Sequence, residues 1–164
     1  VTVSSKDFKG DKPLAGMEFQ RHYENLAYKI GGGNFKTPIQ LLGDFLNDRK
    51  TTKLGKVNPS VLANDYTLAS IGEALPSYVV DSLKEGIESF DKKINGFADY
   101  DAILTGIETR TSAPVRIERN NNLESISLTG LYPAGEGAGF AGGIISAAVD
   151  GIKVAESIMG YFCK

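Results

Sequence analysis

Five glycines fall within nine residues: Gly135, Gly137, Gly139, Gly142 and Gly143. Glycine at that density lets backbone come close to another backbone or to a ligand. From Ile144 onward the apolar positions Ile144, Ala148, Ile152, Ala155 and Met159 recur at helical spacing. A helix beginning at such a turn aims free N–H groups, and the positive end of its dipole, at whatever lies ahead of it. The chemistry this suits is binding of an anion or of electron-rich oxygens. Gly137 to Gly142 also spells G-x-G-x-x-G. A dinucleotide fingerprint needs a further strand and an acidic residue about 20 positions on. Lys164 is reached one helix later. The turn is therefore expected to serve a nucleotide only as a contributor from the far end of a longer chain.

A second polar cluster precedes it, Glu108-Thr109-Arg110-Thr111-Ser112. Arg110, Arg116 and Arg119 could bind an acidic group or be ordinary strand-edge residues, and composition does not separate the two. His22 sits beside an apolar helix face with no partner acid or base in view, which reads as a boundary residue. The basic run Arg49, Lys50, Lys53 and Lys56 has no interleaved aromatics and reads as a solvated loop. With one His and one Cys, no metal site is expected.

Composition sets the frame around these residues. The 164 residues hold 41% hydrophobic and 23% charged side chains, as globular proteins do. A net charge of −2 offers no case for nucleic acid or an anionic membrane. No apolar run approaches the roughly 18 residues of a membrane span, and no signal peptide is visible. Cys163 alone allows no internal disulfide, so a cytoplasmic location is expected. The start on Val1, without Met, suggests a piece of a longer protein.

The elements that must position the site follow from periodicity. Val1 to Ser5 reads as a strand. Pro13 opens a helix with an apolar face of Phe19, Tyr23, Leu26, Ala27 and Ile30, closed by Gly31-Gly32-Gly33. Thr37-Pro38 looks like the cap and first residue of a second helix carrying Ile39, Leu42, Phe45 and Leu46. Tyr66 to Leu75 suggests a short helix. Pro76-Ser77 opens an amphipathic helix to Ile94 whose stripe, Val79, Val80, Leu83, Ile87, Phe90 and Ile94, predicts core. Beyond Gly96 the texture changes to short strands: 102–104 with a continuation at 107–109, a hairpin of 115–119 and 123–128 around three asparagines, and 128–134. The fold class is a fragment of α+β or α/β type. Residues 1–96 are expected to form a helix-rich domain and 97–164 a strand-turn-helix portion.

The segments LAGMEFQRHYE (14–24), LLGDFL (41–46), ALPSYV (74–79), LTGIETRTSAPVRI (104–117) and GLYPAGEGAGFAGGIISAAVDGIKVAE (130–156) occur in order. With them the chain resembles the C-terminal portion of FAD-dependent dehydrogenases described as NAD- or FAD-utilising, of the two-dinucleotide-binding-fold superfamily. The resemblance implies a Rossmann-like FAD domain built from both ends of a long chain, with a substrate or cap domain inserted between. The chain would hold part of the inserted domain and the last strands and helix of the FAD domain. Its first partner would be the missing N-terminal FAD-binding segment, with FAD in the intact protein, NAD(P)H as a possible co-substrate, and an unidentified small-molecule substrate.

By position, the resemblance places Gly135 and Glu136 at the flavin ribityl and pyrophosphate, although relatives often have Asp at the position of Glu136. It brings the amides of Gly142, Gly143 and Ile144 to the flavin N1–C2 edge, with Gly137 and Gly139 in the same contact surface, the alternative for Gly139 and Gly151 being close packing against a neighbouring strand. A positive helix end there would stabilise reduced flavin by about 0.3–2 kcal/mol. Arg110, Thr111 and Ser112 would lie near the ring, and Ala113 replaces a serine frequent in relatives. No catalytic base is assigned. The alternative is a non-catalytic interaction module whose glycine turn is purely structural and whose helix 77–95 exposes an apolar groove. A kinship with RNA-modifying flavoproteins is disfavoured by the acidic balance. Without the upstream sheet, unpaired strand edges make a homodimer of the isolated fragment an expectation.

Overall fold

The computed structural model describes residues 1–8, 12–61, 65–109 and 112–163. Among them are four α-helices and one three-stranded mixed sheet. The chain divides into two compact units. One comprises Val1–Asp7 and Arg21–Thr109, the other Phe8–Gln20 and Arg110–Lys164. Helix α1 (Ala15–Ile30) contributes residues to both.

The first unit is built on β1 (Thr37–Leu41), the central strand, with β2 (Tyr66–Leu68) parallel on one side and β3 (Ile103–Thr105) antiparallel on the other. The expected helix from Thr37 is thus a strand followed by one turn of helix, α2 (Leu42–Leu46). Pro at a helix start and Pro at the end of a strand look alike in sequence. Here Pro38 lies where its missing N–H costs least. The rungs toward β2 use the N–H of Thr37 and the carbonyl of Ile39, and Pro38 needs only to accept, from Gly106 N–H. Ile39 and Gln40, adjacent in sequence, are both fully buried because a central strand has cover on both faces.

Gln40 ties the unit together. Its Nε2 donates to Arg49 O and its Oε1 accepts from Ile71 N–H, each at 2.7 Å. Thr51, also buried, accepts from Leu41 N–H and donates to Asp44. Gln40→Leu preserves volume but strands the Arg49 carbonyl and the buried Ile71 amide. The substitution is expected to cost about 1–3 kcal/mol, read as a lower urea midpoint with unchanged slope.

Other expectations for this unit are corrected. Val1 to Ser5 is no strand. Asp7 accepts from the N–H and the hydroxyl of Ser4 and closes a 3-10 turn, Ser5–Asp7, a local bond that wins over extended pairing. Tyr66 to Leu75 is β2 followed by a 3-10 turn, Ile71–Ala74, rather than a helix. Helix α3 (Ser77–Asp91) starts as expected but ends before Ile94, where Asp91 turns to accept from Ala98 N–H. Its stripe is core only at Val79. Val80, Leu83 and Ile87 are half-buried, and Phe90 and Ile94 are exposed. Residues 107–109 do not extend β3, because Gly106 turns the chain at φ +45°.

In the second unit, helix α4 (Ile144–Phe162) is the dominant element. The hairpin expected at 115–128 is reduced to a single bridge, Arg119 to Ser125, closed by Asn120 N–H donating to Glu124 O. Residues 128–134 form no strand. Leu131 N–H turns back to Leu128 O, and Glu124 takes the Gly130 amide. No helix among the described residues is long and apolar enough to cross a membrane.

Candidate functional site

The site lies within the second unit, where residues 133–143 lead into α4. At Gly143 no side chain caps the helix, and its first bond runs from Ala147 N–H to Gly143 O. The amides of Ile144, Ile145 and Ser146 therefore lie ahead of the helical ladder, at the positive end of the dipole. Ile144 is 89% exposed.

The glycines divide by physical role. Gly135 and Gly139 have φ of +71° and +83°, which L side chains avoid. Gly139 is also pressed against the 115–117 segment. A Cβ there would sit 2.6 Å from Val115 O and 3.0 Å from Arg116 Cα. Beside it, Ile117 N–H donates to Ala138 O and Arg116 Nε to Gly139 O. Gly137, Gly142 and Gly143 have no positive φ. No described atom lies within 4 Å of a Cβ at Gly137, and only the Ser112 and Ser146 hydroxyls, at 3.9 and 3.8 Å, approach one at Gly142 and Gly143. Neither backbone conformation nor packing among the described residues demands glycine at these three positions.

A buried ion pair holds the turn. The Asp150 carboxylate, from the second turn of α4, accepts Arg119 Nη2 at 2.7 Å and Nη1 at 3.0 Å, and the Gly135 amide at 2.8 Å. Arg119 Nη1 also donates to Pro133 O at 2.8 Å. Both side chains are 11% exposed. The Arg119 hydrogen bonds, then the Gly135 amide, hold the Asp150 pKa down to about 2 against the opposing effect of burial. The Arg119 guanidinium carbon lies 3.6 Å from the Phe140 ring centroid and that of Arg116 5.1 Å, placing two cations against one aromatic ring. An open hollow of about 300 Å³ lies beside it, lined by Ser112, Arg116, Gly139, Phe140 and Gly142.

Of the residues singled out in the sequence, Gly135, Glu136, Gly137, Gly139, Gly142, Gly143 and Ile144 form one continuous turn and helix start, with Glu136 half-buried and its carbonyl accepting Gly139 N–H. Ser112 is exposed beside Gly142. Arg110 and Thr111 lie outside the described residues. Sequence reasoning missed Asp150 and Phe140. The signal for Asp150 was a lone acid on the helix face shared with Ala147 and Val154. Among the described residues no group of His, Cys, Asp and Glu could hold a metal.

Comparison with known proteins adds two findings. The sequence model of a family described as FAD-dependent protein, C-terminal domain-like, matches residues 1–111. The chain is also similar to an uncharacterized protein of Clostridium beijerinckii, 69% identical over 162 residues. That match covers 99% of this chain and spans 30% of the relative's length.

Proposed function

The chain belongs to the FAD-dependent protein, C-terminal domain-like family, and from that premise we propose that it is the C-terminal part of a longer FAD-dependent oxidoreductase. In this reading the turn at 135–143 and the start of α4 contribute to the flavin site. Residues 1–96 come from an inserted region and 97–164 close the FAD domain.

The observation that carries the reading is the uncrowded trio Gly137, Gly142 and Gly143. Glycine is otherwise costly in chain entropy. Its presence where nothing in the described chain requires it is accounted for by a ligand laid against the backbone. The uncapped amides of α4 suit the ribityl-phosphate oxygens or the N1–C2 edge of a flavin, and the cationic side of the hollow, Arg116, suits an anion. The cofactor supplies hydride and electron transfer. The chain's residues supply close backbone contact, a positive helix end and a fixed turn. An oxidoreductase activity, a nicotinamide co-substrate and a role for Glu136 or Ser112 in contacting flavin are parts of this proposal.

The test is the visible spectrum of the purified full-length protein. Flavin bands, present as isolated or after reconstitution with FAD, are expected. A colourless protein that does not take up FAD would overturn the reading and leave the glycine turn as packing in an interaction module.

A further inference from the structure

Five glycines make a soft turn, yet this one is held at its beginning, and again at Phe140 within it, by a single buried ion pair. Asp150 accepts the Gly135 amide while Arg119 donates to the Pro133 carbonyl, so the two peptide groups flanking Ala134 are fixed by opposite ends of the pair. The same guanidinium lies on the Phe140 ring, between Gly139 and Gly142. Asp150 is itself carried by α4, whose first amides follow Gly143. The pair thus ties the turn to the helix start through side chains, in addition to the intervening backbone.

We propose that Arg119 and Asp150 are positioning residues that set the backbone of residues 133–140 in register with the N-terminus of α4, so that both meet the FAD as one preformed surface. This rests on the FAD reading above. Neither side chain needs to touch the cofactor. The pair acts by removing freedom that the glycines would otherwise lose on binding. The planar fork of Arg119 matters as much as its charge. It supplies two bonds to Asp150, one to Pro133 and a flat face to Phe140, none of which an ammonium reproduces together.

The experiment uses the full-length protein in three forms: wild type, Arg119→Lys and Asp150→Asn. FAD dissociation constants, flavin band positions and fluorescence of the bound fraction, and urea midpoints are measured on each. Arg119→Lys keeps the charge, and Asp150→Asn keeps an acceptor for Gly135. Each is expected to weaken FAD binding at least tenfold and to shift the bands or fluorescence of the flavin that stays bound. Should Asp150→Asn fail to fold, Arg119→Lys decides. Binding within twofold of wild type with unchanged flavin spectra overturns the inference. So does weakening that follows only the unfolded fraction. If wild type itself takes up no FAD, the underlying reading fails instead.

Discussion

Gly139→Ala is expected to destabilise the second unit by about 2–5 kcal/mol, combining a left-handed backbone cost of about 1–2 kcal/mol with about 1–3 kcal/mol of overpacking. Both contributions arise from one backbone position. Gly139 holds φ +83°, and its missing Cβ is the space into which Val115 O projects. The obstructing atoms are backbone, so no rotamer change relieves them. Ile117 N–H, donating to Ala138 O, prevents the 115–117 segment from drifting away. Gly137→Ala, two residues earlier, is the contrasting variant. Its φ is not positive and no described atom lies within 4 Å of the added methyl. Its stability is expected to stay within about 0.5 kcal/mol of wild type, while FAD binding by the full-length protein weakens. Urea midpoints and FAD titrations of the two variants separate packing glycines from ligand-facing ones. Equal behaviour of the pair in both assays would refute the division.

That division was only half visible in the sequence. Glycine density located the turn and the start of α4, because no other composition produces such a run. It gave no means to tell Gly139 from Gly137, since the difference lies in which segment crosses behind each. Helical periodicity likewise found α1, α3 and α4 but not their buried faces. The apolar positions Ile144, Ile152 and Met159, which carry the helical spacing of α4, are exposed, while Asp150 and Val154 are buried. A stripe on a helix records that some surface is apolar, not that the cover lies within the same 164 residues. The strand β1 was hidden for a different reason. Ile39, Leu42, Phe45 and Leu46 have helical spacing, but the first belongs to a strand covered on both faces and the rest to a single helical turn. Short elements carry too few residues for period to decide, and pairing with β2 and β3 decides instead.

Asp150→Ala is expected to cost about 3–5 kcal/mol at neutral pH, the range for removing one partner of a buried pair. The loss has two sources in the geometry: the Arg119 guanidinium is left buried beside Phe140 without a counter-charge, and the Gly135 amide loses its acceptor. The same pair fixes the sign of the acid response. The carboxyl titrates near 2 in the folded state, against 3.8 for its ordinary value. Its contribution is therefore fully present above about pH 4 and is withdrawn as pH falls toward 2, since the unfolded chain takes up the proton first. The gap in urea midpoint between wild type and Asp150→Ala should narrow over that window without closing, chiefly through loss of stability in wild type. A gap between the two proteins that stays constant from pH 6 to pH 2.5 would show that Asp150 acts through shape alone, and that Gly135 and Pro133 are held in place by the chain without the charge.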